Sequence, residues 1–94
     1  MTKAYHKAMT PMKYSLIIPA YNEAPYIERT VHALAAACRT TLSQPWEIIV
    51  VDNHSTDHTK EVVQQMQDPN VVVIEEPEGG KGRAWKTGTR VARG

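Results

Sequence analysis

Hydrophobic positions along the chain fall into two kinds of run that alternate. Ile48, Ile49, Val50 and Val51 are four consecutive apolar, β-branched residues bounded by Glu47 and Asp52. A run that short and that stiff at χ1 predicts a strand buried on both faces rather than a helix. Tyr14 to Ile18 and Val71 to Ile74 repeat the pattern. Pro19, which has no N–H to give to a ladder, is expected to end the first of them, and Glu75 follows the last.

Helical spacing fills the intervals. Ile27, Val31, Leu34 and Cys38 recur at i, i+4, i+7 and i+11, which predicts an amphipathic helix laid on a sheet. Pro25 suits its first turn, where a missing N–H costs nothing, and the pattern fades over Arg39 to Thr41. Asn53, His54, Ser55, Thr56 and Asp57 supply turn and cap chemistry before Val62, Val63 and Met66 resume the helical period. Asp68-Pro69-Asn70 is a stop. A last helix over Arg83 to about Arg93 carries Ala84, Trp85, Gly88, Val91 and Ala92 on one side. The order β-α-β-α-β-α, wired with right-handed crossovers, predicts a Rossmann-like three-layer α/β fold with a parallel sheet in the order 3-2-1.

That wiring brings all three strand ends to one edge. Tyr21, Asn22 and Glu23, then Asp52 to Asp57, then Glu75 to Gly82 should line one crevice, where open α/β sheets bind ligands. The crevice offers an aromatic face for a flat ring, carboxylates that accept from ring N–H or sugar hydroxyls, and a glycine loop carrying Lys81 toward an anion. Those parts suit a nucleotide. The dinucleotide fold is disfavoured, because its first turn needs glycines to admit a pyrophosphate and this one reads PAYNEAP. A P-loop fails as well, since Gly82 follows Lys81 where Ser or Thr is required.

Composition narrows the picture. Ninety-four residues make one small domain, with residues 1 to 12 an aperiodic, flexible arm and 13 to 94 the folded part. Eleven Lys and Arg against ten Asp and Glu leave a formal charge of +1, and no basic block marks a nucleic-acid partner. No stretch reaches the roughly 18 consecutive apolar residues of a membrane span, and the amino terminus lacks a signal-peptide core. The single Cys38 lies in an apolar run and reads as a small core residue in a reduced, cytoplasmic compartment. His54 and His58 read as exposed cap-region residues, Glu75, Glu76 and Glu78 as a solvated loop, and Trp85 as core.

Three segments in order, SLIIPAYNE at 15–23, EIIVVDNHSTDHT at 47–59 and GGKGRAWKTG at 79–88, resemble the amino-terminal nucleotide-sugar half of inverting family 2 glycosyltransferases of the GT-A fold. The resemblance covers about residues 14 to 94. It implies transfer of a sugar from a UDP- or GDP-linked donor to an acceptor hydroxyl, in cell-envelope polysaccharide synthesis. It also implies that Pro19, Ala20 and Tyr21 form the loop by the nucleobase, that Glu23 reaches the nucleotide, and that Asp52 accepts from the base edge. Ser55 and Asp57 match the turn behind Asp52, Lys81 matches a basic residue near the nucleotide, and Gly82 and Gly88 match glycines of the family. Asn53 stands where a second Asp is frequent.

Members of that family continue into a fourth strand ending in Asp-x-Asp, which holds Mn²⁺ or Mg²⁺ against the donor diphosphate, and then into a region with the catalytic base. The sequence reaches Gly94 before either, so no catalytic or metal-binding residue is assigned. The expectation is a truncated GT-A domain holding part of the donor site of a larger enzyme, which would work in the cytoplasm, at the inner membrane face. The competing expectation is a stand-alone, non-catalytic nucleotide-binding or protein-interaction module. An uncovered first strand would also invite pairing into a homodimer.

Overall fold

The computed structural model describes residues 13–77 and 81–93, the segment 81–85 by its backbone alone. The elements are β1 (Tyr14–Ala20), α1 (Ile27–Thr41), β2 (Trp46–Asp52), α2 (Thr59–Gln65), β3 (Val71–Glu75) and α3 (Lys81–Val91). The strands are all parallel in the order β1-β2-β3, which is the expected 3-2-1 seen from the other edge. The amino-terminal arm expected over residues 1 to 12 lies outside the described residues.

Every residue of β2 is buried, and its alternating side chains build two cores. Ile48 and Val50 meet Ile27, Val31, Ala35 and Cys38 of α1 and Val63 of α2. Ile49 and Val51 meet Ile17, Val72, Ile74 and, from the chain beyond α3, Ala92. Helices α1 and α2 therefore cover one face and α3 the other, and the run of four β-branched residues is explained by apolar demand from both sides. Each fully buried Val or Ile contributes about 1.5–3 kcal/mol. The winding advances from β1 to β3 through α1 and α2, then reverses when α3 returns across β2 to β1.

Several boundaries differ from expectation. Pro19 does not end β1, because the strand runs on to Ala20 with Pro19 in register with Val51. Tyr14 N–H donates inward to the Pro45 carbonyl and the Ala20 carbonyl accepts from Asn53 N–H. By alternation Pro19 turns its missing N–H to the edge away from β2, where no described strand would need it. Helix α1 begins at Ile27, after a turn over Pro25 in which the Glu23 carbonyl accepts from the Tyr26 and Ile27 amides at 2.8 Å each. Helix α3 starts and ends two residues earlier than its pattern suggested, and Val91 is 44% exposed instead of buried. Gly88 takes the contact face, so close to Ile17 that an added Cβ would lie 2.4 Å from its Cγ2.

One charged residue breaks the apolar strand. Glu47 is 3% exposed, yet its carboxylate accepts from Ser15 Oγ at 2.6 Å, from Arg93 N at 2.8 Å, and from Arg93 Nη2 and Nε at 3.1 and 3.3 Å. Satisfying the charge is what makes its burial tolerable, since an unpaired carboxylate there would cost several kcal/mol. The pair fastens the chain just beyond α3 to the start of β2, at the end of the sheet opposite the crevice.

Candidate functional site at the carboxyl edge of the sheet

Register aligns the three strand ends. Ala20 lies opposite Asp52 and Asp52 opposite Glu75, so the loops after β1, β2 and β3 leave from one line. Two further bonds carry the pairing beyond the strands: Asn53 N–H donates to the Ala20 carbonyl at 2.7 Å, and Glu76 N–H to the Asp52 carbonyl at 2.8 Å.

Asp52 is the centre of that line. It is 4% exposed, and its Oδ1 accepts from Ser55 N–H at 3.3 Å, the side-chain turn that aspartate favours. Among the described residues nothing donates to Oδ2. The backbone folds back sharply behind it, with His54 N–H donating to the Asp52 carbonyl at 3.0 Å and His54 itself at φ 64°. A carboxylate withdrawn from bulk water and left with one uncommitted oxygen at a strand end is an acceptor suited to a ligand N–H.

The other residues singled out from sequence divide into two groups. Ala20 is buried, while Pro19, Tyr21 and Glu23 are exposed, Tyr21 at 55%. Asn53, Ser55 and Asp57 are half-buried. Ser55 and Asp57 turn toward the loop after β1: Ser55 Oγ accepts from Asn22 N–H at 2.9 Å and Asp57 Oδ2 from Ala24 N–H at 3.2 Å. Asp57 Oδ1 accepts from both the N–H and the hydroxyl of Thr59, and that hydroxyl bond, foremost among several, holds the Asp57 carboxyl below the usual carboxylate range. Lys81 opens α3, and its side chain lies outside the described residues, as does Glu78. Glu75, the last residue of β3, is exposed and pairs with Lys60 at 3.4 Å, and Glu76 accepts from the Thr87 hydroxyl, so these two acids have partners within the chain.

The sequence puts Asn22 among the crevice residues without marking its bonding role, and does not single out Thr59. Asn22 sits at φ 52° and its Oδ1 accepts from the amides of Thr56 and Asp57. Thr59 is fully buried and its hydroxyl accepts from Glu23 N–H at 2.9 Å. The tolerance of asparagine for left-handed backbone was a signal available at Asn22. Nothing local marked Thr59, whose partner lies 36 positions away. No three His, Cys, Asp or Glu side chains among the described residues converge as a metal site would require.

An open parallel sheet with a polar, acidic carboxyl edge and a reversal of winding above it defines a Rossmann-like nucleotide-binding class. Residues 15–94 match the family described as Glycosyl transferase family 2, and the chain belongs to that family. It is 36% identical over 83 residues to the glycosyltransferase AglE of Haloferax volcanii, covering 85% of this chain and 27% of that protein. It is 41% identical over 70 residues to the putative teichuronic acid biosynthesis glycosyltransferase TuaG of Bacillus subtilis, with 69% and 26% covered. Among solved structures it resembles the mannosyltransferase PcManGT of Pyrobaculum calidifontis, in complex with GDP-Man and Mn²⁺, with a TM-score of 0.70 and 33% identity over 88% of this chain and 25% of that one. The fold is the nucleotide-binding part of GT-A, and the chain spans about a quarter of the length of these relatives. Among the described residues no helix is long and apolar enough to cross a membrane.

Proposed function

We propose that this chain is the donor-binding segment of a glycosyltransferase that moves a sugar from a nucleoside diphosphate to an acceptor hydroxyl. The observation that carries the reading is the alignment of Ala20, Asp52 and Glu75, which puts the exposed Tyr21 and the buried, half-committed Asp52 on one edge. In this reading Tyr21 stacks on the nucleobase, Asp52 Oδ2 accepts from a base N–H, Pro19, Ala20, Glu23 and Asn53 border the nucleoside, and Lys81 meets the phosphates. A stacked aromatic is worth about 0.5–1.5 kcal/mol and a charge-assisted hydrogen bond about 1.5–3.

The GDP-Man in the mannosyltransferase relative supports a nucleotide-sugar ligand, and the choice between UDP and GDP is part of the test. That relative also holds Mn²⁺. With no convergent ligand set among the described residues, Mn²⁺ or Mg²⁺ would be held by groups contributed elsewhere in a protein of the relatives' length, where it would offset the charge of the leaving diphosphate. The name of the teichuronic acid relative supports a product in the cell envelope; work in the cytoplasm, at the inner membrane face, is part of the same proposal. Among the described residues no strand pairs with the outer edge of β1, which supports pairing with a second copy over a length limited by the missing donor of Pro19. Sedimentation over a concentration series tests this, and a monomer at every concentration refutes it.

Titration with UDP and GDP, followed by calorimetry and by the tyrosine resonances, tests the main reading. Binding of one of them should weaken about 10- to 100-fold in Asp52→Asn and less in Tyr21→Ala. Unchanged affinity in both variants, or no binding of either nucleotide, refutes it. A stand-alone interaction module would give the second result.

A further inference from the structure

The loop that carries Tyr21 has no apolar anchor between the buried Ala20 and the buried Ile27, and Tyr21, Asn22, Glu23, Pro25 and Tyr26 in it are all exposed. Left to itself, such a segment would sample many conformations. The loop after β2 and the first residue of α2 hold it instead. Three successive amides, of Asn22, Glu23 and Ala24, donate to Ser55 Oγ, Thr59 Oγ1 and Asp57 Oδ2 at 2.9, 2.9 and 3.2 Å. In the opposite direction Asn22 Oδ1 accepts from the Thr56 and Asp57 amides at 2.8 and 3.3 Å and from the Thr56 hydroxyl at 3.3 Å.

Successive backbone amides are a natural seat for an anion, and the dinucleotide folds use the first strand-to-helix turn for a pyrophosphate in this way. Here those amides are already committed, and one of their acceptors is a carboxylate. Asp57 spans two elements: Oδ2 takes the Ala24 amide ahead of α1, and Oδ1 takes the N–H and hydroxyl of Thr59, the first residue of α2.

Resting on the reading of this edge as a nucleotide site, we propose that Asp57 and Asn22 are positioning residues. The Asp57 carboxylate acts as an internal anion that fills the first turn, so that Tyr21 is held in place before any nucleotide arrives and the donor's diphosphate is kept out of that turn. Ser55 and Asp57 then serve the site through the loop they hold and not by touching the ligand.

Two measurements test this on the 94-residue chain. In hydrogen exchange without ligand, the amides of residues 22–24 should be protected, and Asp57→Ala should speed their exchange about tenfold while the β2 amides stay slow. If Asp57→Ala fails to fold, Asn22→Gly gives the same readout, because glycine adopts the φ of 52° without strain while losing the three bonds of Oδ1. In titrations with UDP and GDP, either variant should raise Kd about tenfold, as when only one loop in ten is in the binding geometry. In a Tyr21→Ala background the same change should raise Kd less than about twofold, because the ring it would position is gone. A purely structural role would give additive losses in that cycle, or none, and either result overturns the proposal. So does free exchange of the 22–24 amides in the wild-type chain. Failure of the wild-type chain to bind either nucleotide removes the reading underneath, whereas binding with unaltered affinity in both variants removes this inference alone.

Discussion

Replacing Gly88 by alanine measures how closely α3 lies on the sheet. An alanine Cβ would stand 2.4 Å from Ile17 Cγ2 and 3.2 Å from both Ile17 Cγ1 and Val51 Cγ2. Ile17 is β-branched on a paired strand and Val51 is fully buried, so neither swings aside as a long flexible side chain would. Overpacking of this kind costs about 1–3 kcal/mol, and a contact this short argues for the upper half of that range. Against it, alanine gains about 1 kcal/mol over glycine inside a helix. The net expectation is a loss of about 1–2 kcal/mol out of a total stability on the order of 5–15 kcal/mol. In urea, with a slope near 1 kcal/mol per molar, the midpoint should fall by about 1–2 M at unchanged slope. Ile17→Ala in the same chain makes room for the new methyl, so the double variant should be less destabilised than the sum of the single changes. An unchanged or raised midpoint for Gly88→Ala would mean that propensity outweighs the clash and that α3 does not sit against β1 and β2 as described.

The buried pair at the far end of the sheet makes a second prediction. Arg93→Ala should cost about 3 kcal/mol by removing the cation that offsets the buried Glu47 charge while leaving its bonds to Ser15 Oγ and the residue-93 amide, and Arg93→Ala with Glu47→Gln should recover part of that loss, both read from thermal unfolding at pH 7. The Asp57 carboxyl gives a pH dependence whose sign follows from its direction. Because folding holds it below the usual value of about 4, its stabilisation is complete above that pH and is lost as pH falls through the lower folded value. The melting temperature of the wild-type chain should therefore exceed that of Asp57→Asn at pH 7, and the gap should close on acidification below about pH 4. A gap that persists in acid would show that shape and not charge is what Asp57 contributes. Asn22→Asp retains tolerance for left-handed backbone but sets a carboxylate near Asp57, so it should lower stability at pH 7 and less so in acid.

Two parts of the fold were open to one-dimensional reading because they obey one-dimensional rules. The four β-branched residues of β2 and the spacing of Ile27, Val31, Leu34 and Cys38 follow from the repeat of a strand and of a helix, and both elements bury the residues the repeat marks except Leu34, which is half-buried while Ala35 is buried. The same reasoning placed Val91 on the inner face of α3, where it is exposed, because a two-residue shift of the helix and the close approach of Gly88 are set by the sheet beneath. Pro19 reads as a terminator in one dimension because chain order alone does not reveal which edge of the sheet its missing N–H faces.

At the crevice, the positions of Tyr21 and Asp52 were legible because a polar residue directly after a buried strand must emerge at a sheet edge, and strands that run parallel all end at the same one. The duties of Asn22, Ser55, Asp57 and Thr59 were not. Their bonds join positions 33 to 36 apart, and whether a hydroxyl or carboxylate turns to a ligand or to a neighbouring loop depends on distances that exist only after the sheet has formed. Glu47 and Arg93, 46 positions apart, meet for the same reason. Local repeat and strand chemistry thus determined which segments form and which edge is polar. The packed structure alone decided which polar atoms are spent within the chain and which, like Asp52 Oδ2, have no donor among the described residues, because hydrogen bonds are made across space and not along the sequence.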